Sequence, residues 1–208
     1  INKDTLNVGA GVLDANLAKF ALQNSIKDFE FFSGIPGTIG GAIKMNAGCY
    51  GSQTADNLKR ILVINKLGKI KYLTKDELEL KYRSSNLTDE LIVLKAYFSC
   101  KYSSASEIIE KKNYIKFKRE SSQPIKEKTS GSTFKNPSSE YAAVLIEKAG
   151  CKGMKNGDAS VSTTHSNFII NNGAATALEI ENLGKKIINQ VQEKFGITLE
   201  WEIKIIGR

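Results

Sequence analysis

The chain has 208 residues, of which 41% are hydrophobic, enough for one large domain or two small ones with real cores. It carries 30 Lys+Arg against 22 Asp+Glu, a net charge of +8. That balance admits nucleic acid or anionic small molecules, but the densest basic cluster, Lys111, Lys112, Lys116, Lys118 and Arg119, is not interleaved with any RNA-reading motif, so a nucleic-acid partner is not expected. No apolar run is long enough to span a membrane, and no charged-then-apolar leader opens the sequence. Cys49, Cys100, Cys151 and the single histidine, His165, are scattered; they form neither a disulfide framework nor a zinc site and fit a reducing cytosol.

In chain order, residues 6–12 read as a short strand ending in Gly9-Ala10-Gly11. Asp14 is placed to cap a helix over residues 14–24, with Leu17 and Ala21 on one face. Residues 34–51 then concentrate six of the chain's 17 glycines. Residues 61–64 and 70–73, joined through Leu67-Gly68-Lys69, read as a β-hairpin, and residues 92–98 as a further strand. Ser104 and Glu107 have capping-box spacing and open a helix to about residue 119. An irregular loop spans residues 121–137, with proline at both ends and Gly131 inside. A helix over 139–148 is stopped by Gly150. A second capping box, Thr176 and Glu179, opens a helix with Ile180, Leu183, Ile187, Val191 and Phe195 on its apolar stripe, ended by Gly196. Residues 197–206 alternate as a strand would: Ile197, Leu199, Trp201, Ile203 and Ile205 face one way, and Thr198, Glu200, Glu202 and Lys204 the other.

These elements give an α+β class, with a boundary near residues 99–104 and hence units 1–103 and 104–208. A βαβ dinucleotide fold is excluded, since Gly9-Ala10-Gly11 lacks its third glycine (Asp14 stands there), and no Walker sequence is present. Four segments could carry chemistry. The glycine run either wraps a phosphate-bearing ligand with bare backbone or makes tight turns in a packed core. Tyr82-Arg83-Ser84-Ser85 sets an arginine where it can clamp a carboxylate, or is a surface turn. Gly131-Ser132-Thr133-Phe134-Lys135-Asn136-Pro137 gathers a hydroxyl, a cation and an amide suited to a polar anion, and these are also turn-forming residues. Glu202 lies on the polar face of the last segment. Ser162 and His165 are too close together for a hydrolase triad, and no nucleophile elbow is present; a structural histidine is expected.

Taken as an ordered set, these blocks resemble the UDP-N-acetylenolpyruvoylglucosamine reductase (MurB) family. Residues 34–51 look like its flavin-binding signature GIPGTxGGAxxMNAGxYG. Tyr82-Arg83-Ser84-Ser85 is similar to its YRxS, and Gln123-Pro124 with residues 130–137 to its QP…GSxFKNP. Leu145-Ile146-Glu147-Lys148-Ala149-Gly150, residues 162–171 and Leu199-Glu200-Trp201-Glu202-Ile203 match the remaining blocks in order.

The resemblance implies the C-terminal lobe of a PCMH/VAO-type FAD-binding domain followed by a MurB-type substrate domain. It implies a cytoplasmic oxidoreductase of peptidoglycan precursor synthesis that uses FAD, and NADPH as co-substrate, to reduce UDP-N-acetylglucosamine enolpyruvate to UDP-N-acetylmuramate. Gly37, Thr38, Ile39, Gly40, Asn46, Ala47 and Gly51 would contact FAD. Arg83, Ser132 and Glu202 would be catalytic: Arg83 on the substrate carboxylate, Ser132 as proton donor supported by Lys135, and Glu202 in protonated or hydrogen-bonding form, since a bare carboxylate would repel an enolate. Tyr82, Lys135 and Asn136 would bind substrate. Family members begin with a further lobe carrying a GxGSN loop, and the sequence opens at about the point where that lobe ends. The competing expectation is therefore a truncated inactive or non-catalytic UDP-sugar-binding remnant.

Overall fold

The computed structural model describes residues 1–2 and 4–207. The chain divides into two compact units, Ile1–Lys118 and Arg119–Arg208. Among the described residues no helix is long and apolar enough to cross a membrane.

The first unit is built on a four-stranded antiparallel sheet. β1 (Thr5–Gly9) pairs with β6 (Leu91–Ser99), which pairs with β4 (Leu58–Asn65), which forms a hairpin with β5 (Ile70–Thr74). The ladder shifts register between Leu58 and Arg60. This bulge turns Leu58 and Ile61, three apart rather than two, toward the same core, where Val63 joins them. The inner face packs against α1 (Asp14–Gln23) and α2 (Ile39–Lys44) and an aromatic group in which Phe29 meets Phe98 edge-on at 5.6 Å and Phe31 stacks on Phe32 at 4.1 Å. A two-residue hairpin, β2 (Gly48–Cys49) with β3 (Ser52–Gln53), closes the glycine run.

Two expectations for this unit are corrected. Asp14 does not cap α1: Leu13 holds the cap position without a side-chain bond, and Asp14 is the first helical residue. It lies on the stripe of Leu17, Ala18 and Ala21, so the periodicity that buries those residues carries the carboxyl inward with them. The division between units also falls later than residue 103. α3 (Ala105–Ser122) buries Ile115 in the first core, and its Lys111 pairs with Asp28 and Glu30, each at 3.2 Å.

The second unit has a four-stranded antiparallel sheet in the order β7 (Thr129–Ser132), β10 (Phe168–Asn171), β9 (Ala159–Val161), β8 (Lys155–Asn156). α4 (Ala142–Lys148) and α5 (Ala177–Phe195) complete its core. α5 has the capping box at Thr176 and Glu179 with both reciprocal bonds, and Gly196 closes it at φ 69°.

The strand expected over residues 197–206 does not form. The segment makes a single bridge, Trp201 to Phe134; Leu199 is buried but Ile205 is 57% exposed. Its partner is short for a physical reason. Residues 133–135 supply the bonds Glu202 N–H to Thr133 O (2.9 Å) and Lys135 N–H to Glu200 O (2.8 Å). In this antiparallel register Pro137 lies opposite the start of the segment, where it has no N–H to extend the ladder.

Candidate active site

In the first unit, residues 10–14 run beside residues 37–40. The Asp14 amide donates to Gly37 O (3.1 Å), Ile39 to Val12 O (3.0 Å) and Gly40 to Ala10 O (2.9 Å). The main-chain donors of Ile39 and Gly40 are therefore spent inside the protein rather than turned outward, as is that of Ala47, which bonds Ala42 O at 2.8 Å. Beside this pairing lies a cleft of about 480 Å³, lined by Ala10, Gly11, Thr38, Gly40 and Lys44 and by residues 87–89 and 91–93.

Of the seven residues expected at FAD, Thr38 and Gly40 line the cleft. Ile39 is fully buried and Ala47 packs against the same core. Gly37 is exposed next to Asp14, and Gly51 is exposed at the turn of the β2–β3 hairpin. Asn46 is buried, and its carboxamide is consumed internally: Nδ2 donates to Gln53 Oε1 (2.9 Å) and Lys81 O (3.1 Å), and Oδ1 accepts from the Ala55 amide (2.9 Å). Sequence reasoning missed Ala10, Gly11 and residues 87–89 and 91–93 as cleft wall. The signal was available in Gly9-Ala10-Gly11, which reads as incomplete only against a dinucleotide fingerprint.

Asp14 stands behind the cleft wall. Its side chain is 1% exposed, its Oδ1 lacks a hydrogen-bond partner, and burial pushes its pKa up to about 6. Its other oxygen would lie 3.4 Å from a Cβ at Gly37.

Arg83 sits in a tight turn closed by reciprocal bonds between Lys81 and Ser84, at 3.1 and 3.2 Å. It adopts φ 52°, in the left-handed region. Its guanidinium donates to Gly48 O at 3.0 Å and lies 4.9 Å from the centroid of the Tyr82 ring. Gly48 must be glycine, because a Cβ there would meet Ser52 O at 2.4 Å.

In the second unit, Ser132 ends β7 opposite Phe168, half-buried. The next residue, Thr133, accepts the Glu202 amide, so Ser132 and Glu202, 70 positions apart in the chain, belong to neighbouring rungs of one short ladder. Two contacts fix that ladder. Asn167 grips Phe134 in both directions, accepting from its N–H at 3.0 Å and donating to its O at 2.8 Å. The Trp201 ring packs on Phe134 at 4.9 Å and on the bare backbone of Gly184 in α5, where a Cβ would come within 1.9 Å of Cη2.

Lys135, expected to support Ser132, pairs its ammonium with Glu200 at 3.1 Å. The Asn136 carboxamide accepts from the first amide of α4, Ala142, at 3.0 Å, which explains why that helix starts at Ala142 and not at residue 139. Tyr82 is exposed beside Arg83. His165 is structural: Nδ1 accepts from the Asn167 amide (3.3 Å), the ring rests on Phe168, and burial lowers its pKa.

The profile for an FAD binding domain matches residues 1–74, and that for the UDP-N-acetylenolpyruvoylglucosamine reductase C-terminal domain matches residues 123–206. Fold and site together thus define a flavoenzyme of two parts, a flavin unit and a substrate unit. The UDP-N-acetylenolpyruvoylglucosamine reductases of Rickettsia bellii (strain RML369-C) and Rickettsia conorii (strain ATCC VR-613 / Malish 7) are each 49% identical over 203 residues. Each match covers 98% of this chain, and 67% and 69% of the respective relatives. The crystal structure of UDP-N-acetylenolpyruvylglucosamine reductase (MurB) from Thermus caldophilus superposes with a TM-score of 0.85 at 35% identity, over 96% of this chain and 71% of that one. The chain belongs to the UDP-N-acetylenolpyruvoylglucosamine reductase family and spans about two thirds of the length of its Rickettsia relatives.

The first unit fits a flavin dinucleotide on its own geometry. Gly11 lines the cleft, and a Cβ built on it meets nothing within 4 Å, so its backbone is bare toward the space a ligand would fill. Thr38 adds a hydroxyl to the same wall, which suits a polar, phosphate-bearing group.

Proposed function

We propose that this chain carries out the NADPH-dependent, FAD-mediated reduction of UDP-N-acetylglucosamine enolpyruvate to UDP-N-acetylmuramate, in the cytoplasm, as a step of peptidoglycan precursor synthesis. The observation that supports the reading is the short ladder in which the Glu202 amide bonds Thr133 O, one residue along the chain from Ser132. Family membership supplies the substrate and cofactor class.

Residues around the cleft, Thr38, Gly40 and Gly11 among them, hold FAD. When bound, FAD supplies the redox step, relaying hydride from NADPH to the methylene carbon of the enolpyruvyl group. Negative charge then develops on the adjacent carbon and its carboxylate. Arg83, fixed by Gly48 O, pairs with that carboxylate. Ser132 Oγ–H delivers the proton that quenches the carbon, and Glu202 is the third catalytic residue. Tyr82, Lys135 and Asn136 bind the UDP-bearing part of the substrate, with Asn136 at the diphosphate.

Stopped-flow measurement of the two half-reactions tests this. In Ser132→Ala, flavin bleaching by NADPH keeps the wild-type rate, while reoxidation by the enolpyruvyl substrate slows by about 100-fold or more. Equal loss of both half-reactions removes Ser132 from proton delivery. A colourless protein that still binds UDP-N-acetylglucosamine derivatives identifies a non-catalytic binder instead.

A further inference from the structure

The segment that carries Arg83 is stapled along the end of the glycine run. Asn46 Nδ2 donates to Lys81 O (3.1 Å), the Arg83 guanidinium to Gly48 O (3.0 Å), and Ser85 Oγ to Lys44 O (2.7 Å). Lys44 Nζ returns the contact to Leu87 O and to Asp89 Oδ1. Each tie has its own physical reason. Lys44 is the last residue of α2, so its carbonyl lacks a helical partner and Ser85 supplies one. Lys81 O already closes the turn by accepting the Ser84 amide, and the Asn46 amide is its second donor. Asn46 and Arg83 both hold left-handed backbone, φ 41° and 52°, which non-glycine residues adopt only when their surroundings enforce it. The turn therefore does not hold Arg83 in place by itself.

We propose that Asn46 and Ser85 are positioning residues for Arg83, tying its turn to the flavin helix so that an ordered flavin loop presents the guanidinium in the geometry for the substrate carboxylate. This rests on the reading that Arg83 acts on that carboxylate. The Asn46 carboxamide is committed to Gln53, Lys81 and Ala55, which leaves it to act on the turn.

The test compares the full chain with Ser85→Ala, Ser85→Thr and Asn46→Asp. The first readout needs no cofactor. Trypsin cuts after Arg83, and cleavage of the Arg83–Ser84 bond accelerates about five-fold in Ser85→Ala, the opening expected from one lost hydrogen bond, with the thermal midpoint lowered by about 4 °C and restored in Ser85→Thr. Ser85→Thr keeps the hydroxyl and restores the slow cut. Asn46→Asp places an acceptor against Lys81 O and gives a larger acceleration. The second readout is the pair of half-reactions. In Ser85→Ala, flavin reduction by NADPH stays within about two-fold of wild type, while substrate-driven reoxidation falls about ten-fold in its limiting rate and recovers in Ser85→Thr.

Unchanged cleavage in Ser85→Ala overturns the proposal. So does a fall in both half-reactions together, or a lowered midpoint that Ser85→Thr does not rescue, since either marks a merely structural role. If the wild-type chain shows neither half-reaction, it is the functional reading that falls, and the cleavage ratios alone decide whether the ties hold the turn.

Discussion

The two units hold their site residues by opposite means. In the first, Arg83 is kept in place by polar ties between loops: Asn46 to Lys81, Arg83 to Gly48, Ser85 to Lys44. In the second, Ser132 and Glu202 are kept in place by a packed core, with Trp201 wedged between Phe134 and Gly184 and the Asn167 amide buried alongside. Apart from the buried Asn46 amide, the ties of the first unit join partly exposed groups and exchange with water at small net cost, whereas the ring packing and the buried Asn167 amide of the second do not. The first site can be disturbed without unfolding its unit; the second cannot.

The sharpest break in this contrast comes from Asn167. In Asn167→Ala both the N–H and the C=O of Phe134 lose their partner in a buried setting. The expected loss is about 3 kcal/mol of unfolding free energy, read by urea denaturation, with the proton delivery proposed for Ser132 lost in parallel. A loss as small as that of an exposed loop substitution would erase the distinction between the units.

Gly184→Ala is next. Alanine is the better helix former by about 1 kcal/mol, so an isolated helix would gain. Here the new Cβ would stand 1.9 Å from the Trp201 ring, which must move and carry the backbone of Glu202 with it. Overpacking of this kind costs about 2 kcal/mol net, and a lowered midpoint with a red-shifted Trp201 emission is the expected signature. Trp201 is the only tryptophan, so that signal is unambiguous.

The same contrast governs what could be read from the sequence. α5 was legible in full, because its capping box, apolar stripe and terminal glycine are all local. The β4–β5 hairpin was legible from its alternation and turn. Three features were not. The bulge at Leu58 is set by pairing with Phe98, 40 positions away. The burial of Asp14 runs against its chemistry, which favours a cap. The last segment makes one bridge, Trp201 to Phe134, among the described residues, although its own residues alternate through 206. At the site, single blocks left alternatives open. Ser132, Glu202 and Arg83 were picked out only by their ordered resemblance to a family. The Asn46–Lys81 tie, across 35 positions, has no local signature.

Asp14 sharpens the comparison through pH. A carboxyl raised from its ordinary 3.8 to about 6 holds its proton more tightly when folded than when unfolded. Its contribution is therefore free of penalty below about pH 4, and stability is lost as pH rises through about 6. Taken whole, that shift corresponds to about 3 kcal/mol. Asp14→Asn keeps the shape but leaves a buried amide in the same unpartnered neighbourhood at a constant cost of about 2 kcal/mol, so the expected gain is about 1 kcal/mol at pH 8 and becomes a loss of about 2 kcal/mol near pH 4. A pH-independent difference between the two proteins would mean that Asp14 does not titrate in this range.

The smallest effect belongs to the Lys135–Glu200 pair. Glu200 is 73% exposed at its side chain, and the ion pair at 3.1 Å is open to solvent. Exposed pairs contribute about 0.5 kcal/mol or less, so Glu200→Gln leaves the unfolding free energy nearly unchanged and adds little salt dependence. The main-chain bond from Lys135 N–H to Glu200 O survives the substitution, so the ladder that aligns Ser132 with Glu202 stays intact. Freed of its partner, the Lys135 ammonium becomes more available to an anionic substrate. The Michaelis constant for the UDP-linked substrate is expected to fall about two-fold at low ionic strength, and this change to vanish at high salt. A large loss of stability in Glu200→Gln would show that the rim of the second site is held by charge and not by the packing of Trp201 and Phe134.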